Sequence, residues 1–551
     1  MSERGLISGL PSTTNDLWQL NLWKVIKHAS RVHGKTEVVS YRENQGGKTH
    51  RMNYSEVYKR VCSMSNALES LGVKPGDIIA VLGWNDHRYY ESYFSIPGIG
   101  AVLLELNNRL HVNELTYILK HSKAKALFFD ESLVETAEEL AKNYRFDFTV
   151  IMGDKGLGKI NTSLEKVYDY EKLVSENKGE RDWKEIDEKS AATACYTSGT
   201  TGLPKGVLFS HRFHCLEAIT YVHVARMDVD DVYMQTVPMF HANGWLLHLS
   251  STMIGTKIVL PGKYSAKSLV EIMLREGVTV TAGVPTIFNE VVKVLDGMEE
   301  RPRLNVKAVI AGSTPSISLI KKMMDYGITP IHVYGYTEGN FVTYNHMKRE
   351  LKALNEEEKL KYLQKQGLPV WLVEFKVVNP ESKEELPWDG KSVGEVWVRG
   401  VTAKEYYKDE RTREYFTGDW FRPGDTGSID AFGYFSFFDR SKDLIKSGGE
   451  WISSVDLENY LFSHPFVSEA TVIGIPHPKW EERPLAVVVV KPDFKGIPEE
   501  KLEDELKSHL LKRFAKWQIP DKIVFVNEIP KTSVGKIDKK VLKQKFKDFY
   551  H

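Results

Sequence analysis

CYTSGTTGLPKGVLFSH, Cys195 to His211, is the stretch on which the reading of this chain turns. It sets Gly199, Gly202 and Gly206 among Thr197, Ser198, Thr200 and Thr201, adds Lys205, and runs straight into the apolar Val207-Leu208-Phe209. Glycines let backbone N–H groups come close to an anion, and hydroxyls and a lysine add donors. A flexible linker has a similar composition but rarely abuts a buried apolar run. The stretch therefore reads as a polyphosphate cradle. It is not a Walker A loop: counted from Gly199, the second glycine of that pattern falls on Pro204, and Lys205 is followed by Gly206 where serine or threonine is required.

On either side of this loop, short continuous apolar runs alternate with amphipathic segments. DIIAVLG (Asp77–Gly83), AVLLEL (Ala101–Leu106), AKALFFD and FTVIMGD are strand-like, and HVNELTYILKHS between them has helical spacing. The rhythm returns after Gly255 with TKIVLPG, VTVTAGVP, VKAVIAGST and TPIHVYGYTE, again separated by helical stretches. Such βαβα patterning predicts an α/β fold of doubly wound sheets covered by helices on both faces. From about Gly394 the texture becomes antiparallel, in GEVWVRG and GYFSFFDR, which predicts a β-rich subdomain. A compact α+β pattern then closes the chain. We expect an N-terminal body over 1–438 and a small C-terminal domain over 439–551, near the modal size of a domain.

Composition narrows the function. The 551 residues carry 74 Lys+Arg and 74 Asp+Glu, so no net charge favours nucleic acid or an anionic membrane. Cys62, Cys195 and Cys215 form no close pair, which argues against a disulfide framework or a zinc knuckle and fits a reducing cytoplasm. No signal-peptide core and no membrane-spanning run is expected. His211 and His214 have helical spacing, but no third ligand accompanies them, so they read as packed histidines.

Four further stretches complete the pattern. YGYTE (Tyr334–Glu338) ends an apolar strand, where open α/β sheets bind ligands. WFRPGDTG offers Asp425 in a tight turn, DRSKDLIKSGGEW starts at Asp439, and IPKTSVGKIDKK carries Lys536. With YTSGTTGLPKG, these in this order resemble the acyl-adenylate-forming superfamily over most of the chain. VPMFHANGW, KSGGEWISS and FAKWQIP are most similar to the medium- and long-chain fatty acyl-CoA synthetases.

That resemblance implies two steps: a carboxylate attacks the ATP α-phosphate to give acyl-AMP and pyrophosphate, and the thiol of coenzyme A then takes the acyl group. It implies that Thr197, Ser198, Gly199, Thr200, Thr201, Gly202 and Lys205 grip the β- and γ-phosphates, and that Thr337 bonds the α-phosphate. Glu338, with Thr201, is implied to hold Mg²⁺, a hard ion suited to carboxylate and phosphate oxygens. Gly312, Ser313, Thr314, Tyr334, Gly335 and Tyr336 are implied to frame adenine. Asp425, supported by Arg440, takes the ribose; Asp419 lies in a TGD triplet that competes for this role, but WFRPGD keeps the family's register. Lys536 bridges carboxylate and α-phosphate, Asp439 is the hinge of a mobile C-terminal domain, and Lys446, Gly448, Gly449, Glu450 and Trp451 lie toward coenzyme A. His241 and Trp245, with Gly312 and Gly335, line the acyl site, Trp245 as its gate. Small walls and few charges point to an apolar acyl chain, with short or hydroxylated acids as the competing class. Relatives of this type often pair through the N-terminal body, so a homodimer is the expected assembly.

Overall fold

The computed structural model describes residues 7, 9–197, 203–440, 443–447, 450–532 and 537–550, with the side chains of Glu450 and Trp451 excluded. Ser198, Gly199, Thr200, Thr201, Gly202, Gly448, Gly449 and Lys536 thus lie outside the described residues.

The apolar runs become strands because each is covered on both faces. Ile78–Leu82, Ala126–Asp130 and Phe148–Met152 are buried at every position. They pair in parallel, with Ile79 opposite Ala126 and Ala126 opposite Phe148, inside a seven-stranded sheet. The helices between them bury one face, as in Val112–Ser122, where Leu115, Ile118 and Leu119 turn inward.

This sheet ends on Ala191–Thr197 and Lys205–Ser210, which run antiparallel. The glycine-rich stretch therefore joins two strands of a hairpin. A Walker A loop joins a strand to a helix instead, and the misplaced Pro204 had already set the two apart.

A second, nine-stranded sheet contains Lys257–Leu260, Val280–Gly283, Val306–Ile310 and Ile328–Tyr336, the later βα rhythm of the sequence. Its far edge is Glu37–Ser40 and His50–Asn53, taken from the N-terminal region. A buried charge network links the two lobes at that crossing. Arg42 reaches Asp130 at 2.8 Å and also Asp86, while Arg88 reaches Asp154 at 2.8 Å and Glu171 at 2.7 Å. Breaking one such buried pair costs about 3–5 kcal/mol, because it strands the other charge.

Gly394–Gly400, Asp425–Ile429 and Phe435–Arg440 belong to an antiparallel sheet, as their alternation implied. The C-terminal region forms its own sheet around Val467–His477 and Glu481–Val490. The helices Ser454–Phe462 and Glu499–Leu511 close a separate apolar core there, with Leu457, Leu461, Leu502 and Leu506 buried together.

Candidate active site

The two strands of the glycine-rich hairpin set Thr197 and Lys205 directly opposite each other. The Thr197 hydroxyl is buried and has no hydrogen-bond partner among the described residues. The Lys205 ammonium is held between two rings, 3.5 Å from the centre of Tyr415 and 4.3 Å from that of Tyr406. A cation in such a desolvated cage gains about 2 kcal/mol from the ring quadrupoles.

YGYTE forms the end of Ile328–Tyr336 and the turn to Asn340–Tyr344. The pairing register shifts at a bulge between Tyr334 and Gly335. Only glycine fits at 335, since a Cβ there would sit 1.6 Å from the Asn340 carbonyl oxygen. Thr337 lies in the turn, partly open to solvent, and Glu338 is buried at its end. The Tyr406 hydroxyl donates to Glu338 Oε1. Burial pushes the Glu338 carboxyl up, and the charge of Lys205 pulls it partly back.

Tyr334 donates its hydroxyl to Asp425 Oδ2 at 2.5 Å, and Arg440 Nε stands 3.7 Å from Oδ1. Asp419 instead lies on the exposed edge of that sheet, 3.5 Å from Arg399. Geometry thus sets Asp425, and not Asp419, beside the YGYTE strand. The remaining adenine-side residues, 312–314, follow Val306–Ile310. Gly312 has φ 90°, Ser313 is exposed, and the Thr314 hydroxyl accepts from Gln366.

The sequence did not point to what joins these parts. The segment 403–415 clasps both loops through backbone groups. Ala403 N–H donates to the Glu338 carbonyl at 2.6 Å, and Tyr407 N–H donates to the Gly206 carbonyl at 2.8 Å. Arg411 donates to the Leu203 carbonyl at 3.0 Å. One strap thereby sets the distance between the phosphate hairpin and Glu338, and contributes both rings of the lysine cage. Gln366 is a second unforeseen link, because its amide oxygen accepts from Phe437 N–H while its nitrogen reaches Thr314.

His241 and Trp245 bound an unusual turn. Ala242, Asn243, Gly244, Trp245 and Leu246 all have φ between 38° and 59°. Left-handed backbone costs non-glycine residues roughly 1–2 kcal/mol each, so the turn must be held from outside. Asn243 does this by donating to Glu105 Oε1 at 2.9 Å and Thr193 Oγ1 at 2.8 Å. The Cys195 thiol donates to the other Glu105 oxygen. This turn is therefore hydrogen-bonded to the strand that leads into the glycine-rich hairpin. Trp245 is only 5% exposed and packs edge-on against Phe341, 5.6 Å away, just beyond the Glu338 turn.

Asp439 closes the antiparallel sheet opposite Thr426. Its Oδ2 accepts from Ser454 N–H at 2.8 Å and the Ser454 hydroxyl at 2.6 Å, at the start of the first helix of the C-terminal region. Lys446 is ion-paired with Glu481 at 3.2 Å within the C-terminal sheet. His211 and His214 act as packing residues: the first accepts from Leu22 N–H, and the second meets the Thr193 hydroxyl at 2.8 Å.

Two buried carboxyls give the fold a pH signature. Burial pushes Glu105 up to about 7 and Glu217 up to about 8, from an ordinary 4.5. Between its unfolded and folded values each carboxyl keeps a proton in the folded state that the unfolded chain has lost, so stability falls as pH rises. Buried histidines such as His248, pushed down to about 3, oppose this trend only below about pH 6.5. The melting temperature should therefore decline from pH 6.5 to about 9 and level above. In Glu217→Gln the decline should end near pH 8, where Glu105 has finished titrating; an unchanged profile to pH 9 would contradict the assignment.

Comparison with known proteins agrees with this geometry. Residues 26–407 match the AMP-binding enzyme family, and residues 456–536 match the AMP-binding enzyme C-terminal domain. A long-chain-fatty-acid–CoA ligase of Thermus thermophilus is 43% identical, covering 99% of this chain and 98% of the relative. A medium-chain-fatty-acid–CoA ligase of Ectopseudomonas oleovorans is 34% identical over 96% of each. The solved anthranilate CoA ligase AuaEII, in complex with anthranoyl-AMP, superposes with a TM-score of 0.84 at 25% identity, covering 95% of this chain and 97% of that one. With a phosphate hairpin, a YGYTE turn and a separate C-terminal domain in that shared order, the chain belongs to the AMP-binding enzyme family, the acyl-adenylate-forming superfamily.

Proposed function

We propose that this chain is an AMP-forming acyl-CoA ligase acting on a medium- to long-chain fatty acid. The observation that carries the reading is the clasped pair of loops: one strap holds the hairpin ending on Lys205 against Glu338, with Asp425 behind Tyr334. Such an arrangement supplies cationic and hydrogen-bonding groups along a polyphosphate and a carboxylate at its α end. Phosphoryl chemistry asks for this alignment and charge compensation more than for covalent help.

In this reading Thr197, Ser198, Gly199, Thr200, Thr201, Gly202 and Lys205 bind the β- and γ-phosphates, and Thr337 the α-phosphate. Gly312, Ser313, Thr314, Tyr334, Gly335 and Tyr336 border the base, and Asp425, supported by Arg440, accepts from the ribose hydroxyls. Mg²⁺ suits this site. No group of three metal-ligating side chains occurs among the described residues, but Mg²⁺ typically takes one or two carboxylates plus phosphate oxygens. Glu338 offers a buried carboxyl raised by desolvation, whose ionised form a cation would favour. The ion, held by Glu338 and Thr201, would neutralise phosphate charge.

Lys536 supplies the cation between carboxylate and α-phosphate, and the C-terminal domain, 439–551, turns about Asp439 between the two steps. That turn has a definite cost, since it releases the two bonds from Ser454 to the Asp439 carboxylate. Gly448, Gly449, Glu450 and Trp451, with Lys446, then approach coenzyme A. A homodimer through the N-terminal body and a cytoplasmic location complete the reading; three free, buried cysteines support the latter.

A panel of saturated carboxylates from acetate to palmitate, followed by pyrophosphate and AMP release, tests the reaction. Orthophosphate release instead, with no AMP, would replace it by an ATPase. Trp245 separates gate from core. As a gate, Trp245→Ala lets fatty acid bind without ATP and alters chain-length preference. As a core residue, it costs about 3–5 kcal/mol and lowers every activity together. The turn's left-handed backbone, bonded at Asn243 and not at the indole, favours the gate. Melting curves paired with fatty-acid binding, with and without ATP, decide between them.

A further inference from the structure

Glu217 is the residue that an apolar acyl slot does not explain. It lies on the helix His211–Val224, is wholly buried, and neither carboxyl oxygen has a hydrogen-bond partner among the described residues. One turn further on, the Tyr221 hydroxyl is close enough to influence Glu217 but reaches neither oxygen with hydrogen-bond geometry. Tyr221 accepts the Phe341 N–H at 2.7 Å, and its own hydroxyl proton is the one protein donor near Glu217 among the described residues. Phe341 packs 4.6 Å from Tyr221 and 5.6 Å from Trp245, so the helix, the hairpin and the proposed gate share one wall.

Other polar groups of the adjoining strands are buried with no partner among the described residues. The Tyr336 hydroxyl is buried without a partner and feels the charges of Glu338, Asp425 and Glu217 together. Both polar atoms of the Asn340 side chain are likewise buried and unpartnered. Glu217 thus lies near Tyr336 and, through Tyr221 and Phe341, on the same wall as Trp245, which borders the acyl site in the reading proposed above. A buried carboxyl with no partner costs several kcal/mol against water, and a methyl-bearing side chain would fill the space without that cost.

We infer that, in the ligase proposed above, Glu217 is a specificity-determining residue that hydrogen-bonds a hydroxyl carried by the aliphatic chain of the substrate acid. The chemistry matches in kind. Glu217, pushed up to about 8 by burial, holds its proton at neutral pH and so offers one donor and one acceptor. A hydroxyl offers the same pair. A bare methylene leaves both Glu217 atoms unpaired, and sites with buried hydrogen-bonding groups reject analogues lacking the matching group strongly.

The test compares saturated acids of four, eight and twelve carbons with their monohydroxy derivatives at successive positions, and with the ω-amino acids. Pyrophosphate release gives kcat/KM, and calorimetry in the presence of ATP gives binding. Wild type should prefer one hydroxylated isomer over its unsubstituted parent by about 10²-fold, at one chain position. Glu217→Leu should abolish that preference and raise kcat/KM for the parent acid, while Glu217→Gln, which keeps a donor and an acceptor, should retain most of it. The ATP KM should not move in either variant.

Equal treatment of every pair by wild type, preference for an amino acid, or equal losses for both members of a pair in Glu217→Leu would each overturn the inference. If Glu217→Leu does not fold, wild type and Glu217→Gln decide it. Pyrophosphate release from plain fatty acids without hydroxyl selectivity sinks this inference and leaves the ligase reading standing. No pyrophosphate from any acid sinks the ligase reading, and the calorimetric preference still decides the role of Glu217.

Discussion

Glu338→Gln should lower pyrophosphate release by roughly 10²–10³-fold, the range for removing one preorganised electrostatic group from a closed site. The fold should survive. Glutamine keeps a carbonyl oxygen for the Tyr406 hydroxyl, and the Glu338 backbone carbonyl still accepts from Ala403 N–H. Melting should separate the catalytic from the structural role. The Glu338 carboxyl is raised by burial, so its ionisation in the folded state opposes stability above its unfolded value. The variant should therefore melt no lower than wild type at pH 7.5, and any advantage should vanish by about pH 3.5, where both states hold the proton. A large drop in melting temperature with a proportionate loss of activity would mean that Glu338 serves only to anchor the strap.

The parts that were legible in the sequence share a physical reason. Ile78–Leu82 and its neighbours were visible because strands buried on both faces must be apolar throughout. Gly335 and Asp425 were visible because their chemistry restricts the residue type: no Cβ fits at 335, and a buried carboxylate is held beside Tyr334. What stayed hidden was carried by the backbone or by burial. The strap uses the N–H groups of Ala403 and Tyr407 and the carbonyls of Leu203, Gly206 and Glu338, which almost any sequence could supply. Glu105 ends an apolar run like any strand residue, and only the folded structure joins it to Asn243, almost 140 positions away. Glu217 reads as a solvated helix glutamate until the opposing hairpin covers it. The strand Glu37–Ser40 could not be assigned to the second sheet from sequence because its partner there, Lys257–Leu260, lies some 220 residues further on.

Lys205→Met should also fall by about 10²-fold in kcat/KM for adenylation, mainly through a higher KM for ATP if the ammonium meets the β- and γ-phosphates in ground and transition states alike. Methionine is a demanding replacement. It fills the space between Tyr406 and Tyr415 and gains sulfur–aromatic contacts, so it removes the charge with little damage to the cage. Alanine would empty the cage and confuse the two effects. A second consequence follows from the coupling of Lys205 to Glu338. Lys205 is the cation that draws the Glu338 carboxyl down, so its loss makes that carboxylate still harder to ionise. The two substitutions should then be less than additive, with Lys205→Met/Glu338→Gln losing less than the product of the single losses. Full additivity would show that the lysine and the carboxylate act on separate parts of the reaction. A drop in melting temperature with an unchanged KM for ATP would show that Lys205 does nothing beyond filling its tyrosine cage, and the phosphate role would pass to the backbone of the hairpin alone.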